Sequence, residues 1–320
     1  MKITKKIIKI IEIVFVNIML AILLLVLIDY IIFKKLEIKY PLKEGPAKFG
    51  YLIEPPTPDV ESTEIFFTEH NKMGVNVRKP DGLEFSKKKP LLLFGCSYAY
   101  GFALNQNQTL SYKLAHILKK PVYNRAVTGN GFQLMYIMST KDRLYKDLPT
   151  PDTVMYVMLN DHFRRMLGET FDIRDRYFYP YFEYKNGDLI YDNHKNKILN
   201  FLKSSYLTRL ILKNKIIYQL NDYNNADYLT DFALAYFVKT REQLEKRYNT
   251  KLKFYVVLFD VYLFRDMLKE KLKQNGFEVI DVKDFSDENF YSDKYFSKET
   301  IHPREITWDV LTPEIAKRMK

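Results

Sequence analysis

The sequence of 320 residues contains one cysteine, Cys96, and only five histidines. A single cysteine excludes an intramolecular disulfide and a cysteine-rich metal site. The histidines show no His-Glu-x-x-His spacing, so this common zinc-binding motif is missing as well. We expect neither a metal nor a cofactor. Internal repeats and low-complexity tracts are also missing, which excludes a repeat architecture.

Basic residues are in excess, but their distribution does not indicate nucleic-acid binding. The formal net charge is +11, and nine lysines against four acidic residues fall within the first 50 positions. The other basic residues are spread widely and form no Arg-rich or aromatic-interleaved stripe. We therefore expect no nucleic-acid partner, and the local excess at the amino-terminal end suggests a membrane surface instead.

The long apolar run near the amino-terminal end predicts a membrane anchor. Residues 10–33 are apolar apart from Glu12, Asn17 and Asp29. As a helix this run would be about 36 Å long, enough to cross a hydrocarbon core of about 30 Å with some tilt. A small-residue cleavage site does not follow it, so an uncleaved single-pass anchor is predicted over residues 1–35. We expect the amino-terminal tail inside and the rest of the chain outside, in the periplasm or at the cell surface.

The remaining chain reads as a linker followed by one α/β domain. Residues 36–86 hold five prolines between positions 41 and 58, which prevent a long helix and indicate a linker and embellishment. The domain is predicted over residues 87–320, with an insertion at about 168–225. Within the insertion, residues 181–191 predict a β-hairpin that turns at Asn186-Gly187.

Five short apolar strands separated by helices predict a parallel sheet that is covered on both faces. The strands are expected at residues 91–94, 121–124, 152–159, 253–260 and 277–282. Three of them end in residues that suit an active site, because ligands bind at the carboxyl edge of such a sheet. Ser97 follows the first strand, Gly129 follows the second and Asn160 ends the third. A late His302-Pro303 pair precedes the last predicted helix.

This ordered series resembles the SGNH (GDSL-type) hydrolases, whose four sequence blocks are named for Ser, Gly, Asn and His. The resemblance implies a three-layer α/β/α fold, flavodoxin-like, with a mostly parallel five-stranded sheet. It implies Ser97 as the nucleophile and His302 as the base. It also implies an oxyanion hole formed by the N–H groups of Ser97 and Gly129 and the side-chain amide of Asn160.

Three positions depart from the family pattern. Cys96 stands where the family has the Asp of Gly-Asp-Ser, and Met158 replaces the Gly of the Asn block. Glu299 replaces the Asp that lies three residues before the histidine, so the acid of the triad is open. Each proposed role has a physical basis: a serine hydroxyl needs a base, and the base needs an orienting carboxylate.

Two further assignments are weaker. Cys96 competes with Ser97 as a nucleophile, although a side chain beside the serine is expected to pack sideways. His162 and Arg164 follow Asn160 closely and could bind an anionic or sugar substrate, the alternative being a solvated helix start.

The leading hypothesis is a membrane-anchored esterase or O-acyltransferase that acts on O-acyl groups, O-acetyl above all, of cell-wall or surface glycans. The same residues serve hydrolysis and transfer, so the sequence does not separate the two reactions. Two alternatives remain open: a lipid or lysophospholipid esterase, and a catalytically inactive module that binds a glycan or a protein partner.

Overall fold

The computed structural model describes most of the predicted domain and part of the predicted anchor. The described residues are 13–21, 23–25, 27–28, 60–66, 72–129, 131–140, 148–167, 181–192, 225–286, 290–298 and 301–320. The chain divides into two compact units, of residues 1–50 with 194–215 and of residues 51–193 with 216–320.

In the smaller unit the described residues between 13 and 28 are helical, and their apolar side chains are exposed. Within the described ranges, no helix combines the length with the hydropathy of a membrane span. The other residues of the predicted span (10–12, 22, 26 and 29–33) lie outside the described ranges.

In the larger unit, strands alternate with helices along the chain. The described strands are β1 (Val60–Phe66), β2 (Lys72–Arg78), β3 (Leu91–Phe94), β4 (Val122–Asn124), β5 (Thr153–Leu159), β6 (Tyr181–Lys185), β7 (Asp188–Asp192), β8 (Lys253–Asp260) and β9 (Glu278–Asp281). The described α-helices of this unit are α1 (Ser97–Tyr100), α2 (Leu110–Leu118), α3 (Phe132–Thr140), α4 (Asp161–Met166), α5 (Ala226–Tyr248), α6 (Arg265–Gln274) and α7 (Glu305–Arg318).

Five strands form one parallel sheet in the order β4-β3-β5-β8-β9. All four neighbouring pairs are parallel. Strands β3 and β5 are buried along their whole length, as expected where helices cover both faces of a sheet. The predicted parallel five-stranded sheet is confirmed.

The helices form two layers because alternate residues of each strand point to opposite faces of the sheet. On one face α2 packs against α7, and Trp308 of α7 contacts Phe259 of β8 at 5.4 Å between ring centroids. On the other face α5 packs against α3 and α6, and Phe237 of α5 contacts Tyr156 of β5 at 5.3 Å. The result is the three-layer α/β/α arrangement that the sequence predicts.

The predicted hairpin is confirmed as β6 and β7, which pair in antiparallel register. Its turn residues Asn186 and Gly187 both have positive φ, of 52° and 85°, which is typical of a two-residue hairpin turn. The hairpin packs on α5, where Tyr184 stacks on Phe232 with ring centroids 5.6 Å apart. The helix predicted after it, at about residues 197–220, lies outside the described residues.

A buried arginine joins the β1–β2 hairpin to the segment after α1. Arg78, the last residue of β2, is fully buried, and its guanidinium donates to the carbonyls of Tyr100 (2.6 Å), Gly101 (2.7 Å) and Leu104 (2.7 Å). It also donates to Oε1 of Gln106 at 3.0 Å. Buried carbonyls need a hydrogen-bond donor, and this one side chain supplies a donor to three of them in a stretch of irregular backbone.

We expect Arg78→Met to lower the free energy of unfolding by about 3 kcal/mol or more, because three buried carbonyls would lose a charged donor. The measurement is urea unfolding followed by the fluorescence of Trp308, the one tryptophan of the chain, which is fully buried.

Arg241→Met is the matched control, since Arg241 also donates to two backbone carbonyls, of Asn275 and Gly276, but at an exposed helix end. Water can replace those bonds, so a loss below about 1 kcal/mol is expected. Equal losses in the two variants would contradict the role given to Arg78.

Candidate active site

Ser97 and Asn160 lie at the carboxyl ends of two adjacent strands, β3 and β5. From β3 the chain crosses to β4 on one side, whereas β5 pairs with β3 on the other side. The strand order therefore reverses between β3 and β5, and such a switch point leaves a crevice in which ligands bind. The structure brings the two residues to the same edge, as the sequence predicts.

The backbone before Ser97 makes a tight turn that requires glycine. Gly95 has φ of +150°, and a Cβ there would lie 2.8 Å from Cβ of Ala99 and 3.1 Å from the carbonyl of Val157. Ser97 then begins α1, so its N–H has no acceptor within the helix. Its exposed fraction is 6%, whereas Cys96 is fully buried in the core, as expected for a side chain that packs sideways.

Hydrogen bonds hold the side-chain amide of Asn160 in one orientation. The Asn160 N–H donates to the Asp260 carbonyl at 2.7 Å, and its Oδ1 accepts from the N–H groups of Leu263 (3.0 Å) and Tyr262 (3.4 Å). Because Oδ1 faces two donors, Nδ2 is the end that can donate to a ligand. Only 5% of the residue is exposed, so this donor is almost fully desolvated.

Gly129 lies on a segment that continues beside β3 after β4 has ended. Arg125 N–H donates to the Leu93 carbonyl at 2.7 Å, and Val127 N–H donates to the Gly95 carbonyl at 3.2 Å. Gly129 itself has φ of +77°, in the left-handed region that favours glycine. This geometry suits the expected close backbone approach, and the donor role of its N–H stays a prediction.

His302 lies against the residues that follow Ser97. Its ring is 4.7 Å from the ring of Phe102 and 5.5 Å from that of Tyr98, between centroids. Its carbonyl accepts from the N–H of Ser297 at 2.9 Å. The candidate base is thus adjacent to the candidate nucleophile's segment. Glu299 lies outside the described residues, so its role as the triad acid stays a prediction.

Two carboxyl groups add negative charge to this edge of the sheet. Burial raises the pKa of Asp260, at the end of β8, above its usual value, and the nearby Asp161 carboxylate adds to the rise. Asp161 is itself paired with Arg164 at 3.1 Å and with Arg165 at 3.6 Å. Arg164 is therefore engaged by a neighbouring carboxylate, and its contact with a substrate stays a prediction.

His162 does not occupy the position expected for a substrate-binding residue. It is fully buried, and its Nδ1 hydrogen-bonds with the hydroxyl of Tyr156 at 2.9 Å. Burial lowers its pKa well below the usual value, so the ring is neutral. Both sequence-based interpretations, a pocket residue and a solvated helix start, required exposure. His162 is the second residue of α4, and its ring lies against Tyr156 and Phe132 inside the helix layer rather than at the sheet edge.

Two further residues lie at this edge that the sequence motifs do not indicate, Tyr98 and Asp260. Asp260 could have been found by the rule that selected Asn160, since it is a polar residue at the end of a buried strand. Tyr98 gives no such signal, because its contacts are with residues about 200 positions later in the chain.

The arrangement suits nucleophilic acyl transfer. A serine hydroxyl and a fixed amide donor lie where two adjacent parallel strands end, and an imidazole contacts side chains that follow the serine. Groups of these kinds can form and stabilise a tetrahedral oxyanion. Among the described residues, no group of three or more His, Cys, Asp or Glu side chains could hold a metal ion.

No protein-family model matches the chain, and no curated protein matches it. Solved structures do match. One is a lipolytic protein of the G-D-S-L family from Desulfitobacterium hafniense, with 12% identity and a TM-score of 0.42, over 72% of this chain and 99% of that one. A second is a lipase from a goat rumen metagenome, with 10% identity and a TM-score of 0.43, over 72% and 97%.

A third is a family two carbohydrate esterase from Clostridium thermocellum, solved in complex with cellohexaose. It has 11% identity and a TM-score of 0.36, over 72% of this chain and 65% of that one. Identities and TM-scores of this size leave the function to be inferred from the chain's own residues.

Proposed function

We propose that the chain is an SGNH-type serine esterase or O-acyltransferase. The observation that supports the proposal is that Ser97 and the oriented amide of Asn160 follow two adjacent strands at the switch point of the sheet, while His302 contacts Tyr98 and Phe102 just after Ser97. Two donors support an oxyanion hole. The Ser97 N–H has no acceptor within its helix, and Asn160 Nδ2 is the end of the amide that does not face the Tyr262 and Leu263 N–H groups. Gly129 N–H is the proposed third donor.

In the proposed reaction, Ser97 Oγ attacks the acyl carbonyl carbon while His302 accepts the hydroxyl proton. The carbonyl electrons move to the oxygen, which the three donors stabilise. When the oxyanion collapses, the leaving alkoxide takes the proton from the imidazolium, and the acyl group stays on Ser97 as an ester. Water then completes hydrolysis, or a sugar hydroxyl completes transfer. Glu299 is proposed to orient the imidazole.

We expect the full chain to hydrolyse p-nitrophenyl acetate, and Ser97→Ala and His302→Ala to fall to background. Asn160→Asp should lower kcat by about 10²–10³. The aspartate keeps an oxygen for the Tyr262 and Leu263 N–H groups but loses the donor, so the loop is preserved while the oxyanion hole is not.

Ser86→Ala is the control, because Ser86 is exposed and precedes the amino end of β3. Wild-type rates in Ser97→Ala would refute the proposed nucleophile. Silence of every variant, wild type included, would favour the alternative of an inactive module that binds a glycan or protein partner.

The proposed substrate is an O-acylated, above all O-acetylated, glycan of the cell wall or cell surface. Two tyrosines beside the site are exposed: Tyr262, which is 71% exposed and follows the strand that ends in Asp260, and Tyr291, which is 55% exposed. Exposed aromatic rings offer faces on which sugars stack, with a polar group at the ring's end. The Asp161 and Asp260 carboxyl groups can accept bonds from sugar hydroxyls.

Tyr262→Leu tests this substrate class against the alternative of a lipid esterase. The leucine keeps apolar area but removes the ring, while the backbone N–H still donates to Asn160. We expect KM for acetylated oligosaccharides to rise by about tenfold or more, with p-nitrophenyl acetate turnover unchanged. Tyr228→Leu, an exposed tyrosine on α5, is the control. Turnover that rises with acyl-chain length and ignores Tyr262→Leu would favour a lipid ester.

The proposed location is a membrane, with the amino-terminal tail inside and the hydrolase domain outside. The apolar run of residues 10–33 supports it, as do the exposed apolar side chains of the described helical residues between 13 and 28. Exposed apolar surface of this extent is typical of contact with lipid or another protein.

Replacing Leu23 and Leu24 by arginine should release the chain from the membrane fraction, because each charge at a span's centre costs about 2.5–3.5 kcal/mol. The alanine pair at the same positions is the control and should stay bound. Protease added outside intact cells should digest a carboxyl-terminal tag, and a tag protected in intact cells but cut after lysis would reverse the proposed orientation.

A further inference from the structure

We infer that Tyr98 is a positioning residue, which holds the imidazole of His302 at a fixed place relative to Ser97. The inference rests on the proposed function, because it assigns a role to Tyr98 within the same site. Tyr98 directly follows the proposed nucleophile, and two kinds of contact join it to the proposed base.

The first contact is a hydrogen bond to the backbone beside the base. The Tyr98 hydroxyl donates to the carbonyl of Ile301 at 2.7 Å, and Ile301 immediately precedes His302. The second contact is between rings: Tyr98 meets His302 edge-on, with centroids 5.5 Å apart and planes inclined at 61°. One side chain thus reaches both the backbone and the ring of the histidine segment.

The hydrogen bond acts on a strained residue. Ile301 has φ of +58°, a conformation that β-branched residues rarely adopt, and its side chain is 71% exposed, so burial does not explain the strain. Two hydrogen bonds hold it: its N–H donates to Ser297 at 2.8 Å, and its carbonyl accepts from Tyr98. Without the phenol, the Ile301 carbonyl would lose this hydrogen bond, and we expect the strained residue to relax and to displace His302, the next residue.

Tyr98 is itself well fixed, as a residue that positions another must be. Its ring packs edge-on against Phe259 of β8, with centroids 5.4 Å apart, and at a tilt against Phe296, with centroids 6.0 Å apart. Burial raises the pKa of the phenol well above its usual value, so the hydroxyl keeps the proton that it donates. The chain of contacts therefore runs from the sheet through Tyr98 to the turn that carries His302.

Tyr98→Phe removes the hydroxyl and keeps the ring. A base displaced by about 1 Å can cost about 10²-fold in rate, so we expect kcat for p-nitrophenyl acetate to fall by about 10- to 100-fold, with KM within about twofold of wild type. Tyr255→Phe is the matched control: its hydroxyl donates to the carbonyl of Met319 at 3.0 Å, in another phenol-to-backbone bond. It lies in β8 but outside the site and should lose comparable stability without losing kcat.

A second readout needs no turnover. With ¹³C-labelled histidine in the full chain, the His302 imidazole signal is assigned by its loss in His302→Gln and titrated with pH. Tyr98→Phe should shift both the signal and its pKa, whereas Tyr255→Phe should leave them unchanged. An unchanged His302 signal in Tyr98→Phe, or a kcat loss no larger than in Tyr255→Phe, would overturn the inference. A wild-type chain without turnover would refute the proposed catalysis, and the imidazole titration would still decide the role of Tyr98.

Discussion

Arg78 has no part in the proposed reaction, yet the path of the chain after Ser97 depends on its guanidinium. Three carbonyls of the segment 100–104, those of Tyr100, Gly101 and Leu104, accept hydrogen bonds from this one buried cation. A charged donor to a buried carbonyl contributes more than a neutral one, and its loss removes a strong hydrogen bond from acceptors that water does not reach. The end of α1 is fixed in this way, and Ser97 and Tyr98 are fixed with it.

Backbone groups hold the other candidate site residues in place as well. Asn160 is oriented by the N–H groups of the loop after β8, and the His302 turn is held by Tyr98 and Ser297. Donors that are already aimed need no reorganisation when charge develops on an oxygen, which is where most of the stabilisation of an oxyanion arises. Rigid elements therefore converge on the crevice from β3, β5 and β8, the central strands of the sheet.

The strands of the sheet can be predicted from the sequence, whereas the side chains that hold the site in place cannot, and the reason is physical. Buried parallel strands are short apolar runs, so β3, β5 and β8 are visible as local patterns, and the polar residues at their ends follow directly. Arg78 and Tyr98 are invisible to such patterns, because their partners lie between 22 and 203 positions away in the sequence. The position of His162 two residues after Asn160 predicts a pocket residue or a solvated helix start, whereas its ring hydrogen-bonds with the Tyr156 hydroxyl inside the helix layer. Burial of a polar side chain depends on a partner that only the fold supplies.

Cys96 and Ser97 are neighbours in the sequence, but their side chains lie in different environments, and this difference determines which of them can react. Cys96 is still in an extended conformation, with φ of −104° and ψ of −153°, and its side chain enters the core, while Ser97 starts the helix at the open edge. The Cys96 side chain is fully buried in the hydrophobic core, so its greater intrinsic nucleophilicity is out of reach of a substrate. The Ser97 hydroxyl, although intrinsically the weaker nucleophile, is the group proposed to act with an imidazole and the oxyanion donors. Position therefore outweighs intrinsic reactivity, and the tight glycine turn at Gly95 is what sets that position.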